Sequence, residues 1–117
     1  MSRESSFDIY IEEGKRLSYL FRNLRKILQD VKYEINLLLP GSEVYLFGST
    51  AKERYTALSD VDLLVVSDVN DSEKITMVKS TLKRKYIDYP FEFHIVDRST
   101  YERWYKRFLS EDELVKI

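Results

Sequence analysis

Two aspartates separated by one residue, Asp60 and Asp62 in Ser59-Asp60-Val61-Asp62-Leu63-Leu64-Val65-Val66, are the residues with the clearest chemical potential in this chain. The stretch is rich in β-branched residues and reads as a strand. Two positions apart on a strand, both carboxylates share one face, while Val61, Leu63 and Val65 take the other, core-facing side. Carboxylates held side by side repel each other unless a cation lies between them. A divalent metal is the natural solution. Thirteen residues before that strand ends its predecessor, at Phe47-Gly48-Ser49-Thr50-Ala51-Lys52. There Gly48-Ser49 falls where a strand gives way to a helical turn, so glycine permits close backbone approach and free N–H groups favour an anion. A phosphate-binding corner beside a metal-binding pair is the equipment of phosphoryl or nucleotidyl transfer. Either half alone is a weak signal; the two together on consecutive strands are specific.

Composition narrows which metal and which partners suit such a site. The chain has no cysteine and a single histidine. Thiolate sites, disulfides and histidine-rich centres are therefore excluded, and a hard ion held by carboxylates, Mg²⁺ or Mn²⁺, is expected. Net charge is -1, so a protein that coats nucleic acid is disfavoured. The first fifteen residues lack the apolar core of a signal peptide, and no apolar run reaches the roughly 20 residues of a membrane span. A cytoplasmic location is expected. At 117 residues the chain is predicted to form one domain, 1–117, with one core.

The elements that must position these residues can be read from periodicity. Leu17, Leu20, Phe21, Leu24, Ile27, Leu28, Val31, Ile35 and Leu38 recur at helical spacing and predict one long helix over about 12–39. Pro40-Gly41 ends it. Strands are expected over 43–47, 61–67 and 91–96, with a helical turn over 49–55. A helix over 71–85 is expected to be capped by Asp71 or Ser72, and a closing helix over 99–109 by Ser99 or Thr100. The tail, 110–117, is expected to be loosely held. This order predicts an α+β fold: a small mixed sheet with helices packed mainly on one face, preceded by a long N-terminal helix. Tyr101, Trp104, Tyr105 and Phe108 are spaced to pack into the core.

The motifs resemble those of the nucleotidyltransferase superfamily that includes DNA polymerase beta, in particular its minimal, antitoxin-like prokaryotic members. The pattern is a hydrophobic strand ending in Gly-Ser, a gap, Asp-hydrophobic-Asp-hydrophobic, and a third acid on a later strand. Here it reads Val44 to Ser49, Asp60 to Val65, and Phe91-Glu92-Phe93-His94-Ile95, a core region of about 43–101. The resemblance implies a nucleotidyltransferase fold in which Asp60, Asp62 and Glu92 are catalytic and hold Mg²⁺ or Mn²⁺. Gly48, Ser49 and Lys52 would bind the phosphates of a nucleoside triphosphate, ATP foremost. The implied activity is transfer of a nucleoside monophosphate to an acceptor hydroxyl with pyrophosphate release. The acceptor could be a tyrosine of a partner protein, because the chain has no evident acceptor-binding region of its own. The resemblance equally implies an alternative: an antitoxin-like interaction module with a weak or inactive site, binding an all-helical HEPN-type partner. The chain departs from the pattern at Ala51-Lys52-Glu53, where Lys52 keeps the charge of the usual arginine but not its bidentate fork.

The third acid has two rivals, Asp88 and Asp97. Phe91, Phe93 and Ile95 alternate against Glu92, His94 and Val96. With the apolar set facing the core, Glu92 and His94 face the side that carries Asp60 and Asp62. Asp88 precedes Tyr89-Pro90 and suits a turn; Asp97 suits a turn or a helix cap. His94 is open to two roles, contact with substrate or with a neighbouring carboxylate, or a structural hydrogen bond.

Overall fold

A computed structural model describes residues 15, 19–20, 22–47, 60–108 and 114–117. Within these, the chain alternates helices with a four-stranded mixed sheet. The first helix, α1, spans Leu24–Leu38, and helical hydrogen bonds run back from Asn23 to the Tyr19 and Leu20 carbonyls. Asn23 itself leaves the helical well (φ -106, ψ 14), and its side-chain amide donates to the Tyr19 carbonyl at 2.8 Å. Local side-chain bonding of this kind competes with the regular ladder. The long helix predicted from about residue 12 is therefore interrupted at Asn23, and its first residues lie outside the described ones. At the other end Pro40 cannot continue the helix, and Gly41 takes a left-handed φ of 80° to turn the chain.

The strands β1 (Glu43–Phe47) and β2 (Val61–Ser67) pair antiparallel, and β3 (Phe91–Asp97) joins β2 in parallel. Between β2 and β3 runs α2 (Ser72–Lys85). Asp71 caps it, accepting from the backbone N–H groups of Glu73 and Lys74 at 3.0 and 3.3 Å. Lys83, Arg84 and Lys85 occupy its last turn, where the helix dipole favours cations. An ion pair between Lys85 and Glu34 ties α2 to α1.

The main core lies between these two helices and one face of the sheet. Leu24, Leu28, Val31 and Ile35 of α1 and Val78 and Leu82 of α2 pack on Val44, Leu46, Val61, Leu63, Val65, Phe91 and Phe93. Each such burial stabilises by about 1.5–3 kcal/mol. This is the predicted alternation: Val61, Leu63 and Val65 go inward, as do Phe91, Phe93 and Ile95.

The chain after β3 departs most from expectation. Asp97, not Ser99 or Thr100, caps the closing helix, accepting from the Thr100 N–H at 2.7 Å. That bond holds the Asp97 carboxyl below the usual carboxylate range. Asp97 thereby takes the capping role expected of it if it is not the third acid. The closing helix, α3 (98–108), contains a π-type turn over Tyr101–Tyr105, with Lys106 N–H bonded to the Tyr101 carbonyl. The wider turn changes the side-chain period, so Tyr101 is buried and Tyr105 half-buried while Trp104 stays 57% exposed, contrary to its expected core position.

Residues 114–117, expected to be loosely held, are instead tied to the sheet. Leu114–Lys116 forms β4, an edge strand antiparallel to β1, giving the order β3-β2-β1-β4. Ile117 N–H bonds the Val44 carbonyl at 2.9 Å, and Lys32 of α1 donates to the Ile117 carbonyl at 2.9 Å. No helix among the described residues is long and apolar enough to cross a membrane.

Candidate functional site

The second face of the sheet carries the site, and strand register organises it in three rows. Glu43 of β1, Val66 of β2 and Val96 of β3 form the first; Tyr45, Leu64 and His94 the second; Phe47, Asp62 and Glu92 the third. Adjacent strands stand about 4.8 Å apart, so members of a row are direct neighbours. The first two rows are largely apolar and lie under α3, with Tyr45, Leu64, Val66 and Tyr101 forming a small second core. The third row sets the carboxylates of Asp62 and Glu92 beside Phe47. The face is thus graded, closed at one end and acidic at the other.

At the closed end, Glu43 gathers three donors. Tyr45 Oη donates to it at 2.7 Å, Arg98 Nη1 stands at 2.7 Å and Lys116 Nζ at 3.2 Å. These contacts, the Tyr45 bond foremost, pull the Glu43 carboxyl down to about 2. Burial, reinforced by bonds to Tyr101 and Glu43, raises the Tyr45 hydroxyl well above its ordinary value. One carboxylate therefore fastens β1, β4 and the start of α3 together. Tyr101 stacks on Tyr45, with centroids 5.3 Å apart and rings 17° from parallel.

At the acidic end, Asp60 is exposed and directly precedes β2, whose first N–H, that of Val61, bonds the Pro90 carbonyl at 2.7 Å. Asp62 sits beside Glu92 across the parallel pair. Glu92 is exposed and Asp62 half-buried. His94 reaches diagonally from the second row to the third, with Nε2 3.4 Å from Asp62 Oδ1. Phe47 meets the His94 ring edge-on at 5.1 Å and 72°, and Tyr105 meets Phe47 at 6.0 Å and 84°. Phe47 and His94 belong to the strands flanking β2, so their rings meet above it.

The predicted site residues divide accordingly. Asp62, Glu92 and His94 share the face expected from alternation, and Asp60 lies two residues before Asp62. Gly48, Ser49 and Lys52 lie outside the described residues, as does the turn expected over 49–55. Among the described residues, no three His, Asp or Glu side chains are gathered into one metal-ligand group. By type, the donors fit a hard divalent ion: exposed or half-exposed carboxylates, with no sulfur and one imidazole. The aromatic wall of Phe47, Tyr105, Tyr45 and Tyr101 was not foreseen as part of the site. Alternation along β1 is the signal that places Tyr45 and Phe47 on that face, while Tyr101 and Tyr105 come from α3.

Comparison with known proteins gives this geometry a family. The sequence profile of the nucleotidyltransferase domain matches residues 22–117. The chain belongs to the nucleotidyltransferase domain family. A crystal structure provisionally described as a nucleotidyltransferase superposes with a TM-score of 0.64 at 27% identity, covering 77% of this chain and 96% of the other. A second, from Sulfolobus solfataricus and described in the same terms, has a TM-score of 0.51 at 21% identity, covering 99% of this chain and 89% of the other. That second likeness bears on the fold alone. No curated protein matches in sequence. In this nucleotidyltransferase domain, the mixed α+β architecture corresponds to the fold expected from the motifs.

Proposed function

We propose that this nucleotidyltransferase domain moves a nucleoside monophosphate from a nucleoside triphosphate, ATP foremost, to an acceptor hydroxyl. The row that sets Asp62 beside Glu92, with Asp60 adjacent, supports this reading most directly. In the reaction the acceptor oxygen forms a bond to the α-phosphorus, the bond to the pyrophosphate leaving group breaks, and the hydroxyl proton is lost. Asp60, Asp62 and Glu92 would hold Mg²⁺ or Mn²⁺, which neutralises the charge developing on the phosphate oxygens. Glu92 would help accept that proton. Gly48, Ser49 and Lys52 would bind the β- and γ-phosphates, leaving the α-phosphate toward the acidic row. Positioning and charge neutralisation would supply most of the acceleration.

The test is incubation of the protein with each labelled nucleoside triphosphate, Mg²⁺ or Mn²⁺, and candidate acceptors, including purified helical proteins with exposed tyrosines. Label transfer with stoichiometric pyrophosphate release is expected. Absence of transfer, together with negligible calorimetric heat for every nucleotide with either metal, would sink this reading.

A second reading is an antitoxin-like module that binds a HEPN-type helical partner. One observation favours it. Tyr33 and Leu37, one turn apart on the outward side of α1, are 65% and 59% exposed, which suits helix-on-helix docking. Cofolding and co-purification with such a partner, unchanged by Asp60→Asn and Asp62→Asn, would favour the module over the enzyme.

A further inference from the structure

His94 is the chain's single histidine, and its reach toward the acidic row calls for an explanation. Its row neighbour is Leu64, yet its ring leans toward the next row and brings Nε2 to 3.4 Å from Asp62 Oδ1. Both side chains remain partly open, His94 at 38% and Asp62 at 32%, so burial does not force the contact. Phe47 packs edge-on against the ring, and Tyr105 packs edge-on against Phe47. Phe47 is also the residue directly before Gly48-Ser49. The ring is therefore held between the strand that leads into the expected phosphate loop and the carboxylate expected to hold metal.

We propose that His94 is a positioning residue for Asp62. Its Nε2–H donates to Oδ1 and leaves Oδ2 as the oxygen offered to a cation, while Phe47 packs against the ring. A carboxylate that could rotate freely would offer either oxygen; one anchored through Oδ1 offers a single oxygen in a single direction. Hydrogen-bond partners behind a ligating carboxylate commonly set metal affinity in this way. The long distance suits a bond that tightens once the site is filled. The proposal rests on the reading of Asp62 as a metal ligand, and the experiment separates the two.

The first measurement is Mn²⁺ affinity of the full chain, by electron paramagnetic resonance, without nucleotide. His94→Ala is expected to weaken Mn²⁺ binding about 10-fold. His94→Gln, which keeps an N–H donor at similar reach, should recover most of that loss, and Phe47→Leu should fall between. Equal affinity of His94→Ala and the original chain overturns the proposal, and so does a His94→Gln no better than His94→Ala. The second measurement uses protein labelled with ¹⁵N-histidine, in which the one ring gives one set of signals. Nε2 is expected to keep its proton when Mg²⁺ saturates the site, and Asp62→Ala should move the Nε2–H signal in the metal-free protein. Loss of the Nε2 proton on metal binding would make His94 a direct ligand and overturn the positioning role. An unmoved signal in Asp62→Ala would overturn the hydrogen bond itself. If Asp62→Ala moves the signal but binds Mn²⁺ as tightly as the original chain, the reading of Asp62 as a metal ligand fails instead. The positioning role, which depends on that reading, then falls with it, while the hydrogen bond stands.

Discussion

Replacing Glu43 by glutamine tests how the closed end of the sheet is held together. The substitution keeps the shape and removes the charge that Tyr45, Arg98 and Lys116 converge upon. The drop of the Glu43 carboxyl from an ordinary 4.5 to about 2 would correspond to about 3 kcal/mol if solvent did nothing. Solvent does intervene: 26% of the side chain is accessible, and Arg98 and Lys116 are 41% and 60% accessible. Exposed ion pairs contribute about 0.2–1 kcal/mol each, so about 1–2 kcal/mol is the expected loss at pH 7 and low salt. For a domain of this size that corresponds to a Tm lower by about 4–8 °C. The pH dependence follows from the direction of the shift. A carboxyl whose folded value is depressed stabilises fully above its unfolded value, near 4.5, and that contribution is lost as pH falls toward 2. Thermal unfolding of both proteins from pH 7 to pH 2 should therefore show a gap that is constant down to about pH 5 and then closes. A gap that persists unchanged at pH 2, or no gap at pH 7 in low salt, would refute the charge-based account.

Three further predictions concern the site. Asp60→Asn with Asp62→Asn should abolish metal-dependent triphosphate binding by calorimetry and leave the metal-free fold at least as stable, because two clustered like charges are removed. Glu92→Gln should lower kcat by at least 10-fold while changing triphosphate affinity by less than about 3-fold, since a group acting on the attacking hydroxyl matters most in the transition state; equal losses in both would place Glu92 in ground-state binding. Lys52→Ala should weaken triphosphate binding about 10-fold and Lys52→Arg should retain or improve it; an unaffected Lys52→Ala transfers the phosphate-binding role to Arg54.

Much of this protein was written locally in its sequence. The alternation of β2 and β3 determines that Val61, Leu63, Val65, Phe91 and Phe93 face the core and that Asp62, Glu92 and His94 share the other side, because the two-residue period of a strand is a property of the backbone alone. The cap at Asp71 and the break at Pro40-Gly41 are equally local. What needed the tertiary structure was every relation between residues distant along the chain. The parallel pairing of β2 with β3 makes Asp62 the neighbour of Glu92, thirty residues on, and no spacing rule supplies that register. A three-residue strand, Leu114–Lys116, has too few residues to show a period and is defined only by its bonds to β1. The π-type turn turns Trp104 outward because one extra residue per turn breaks the helical spacing from which its burial was expected. The lean of His94 toward Asp62 depends on Phe47 and Tyr105, which come from β1 and α3 and meet only once the sheet has formed. Sequence determines which faces exist; only assembly decides which faces meet.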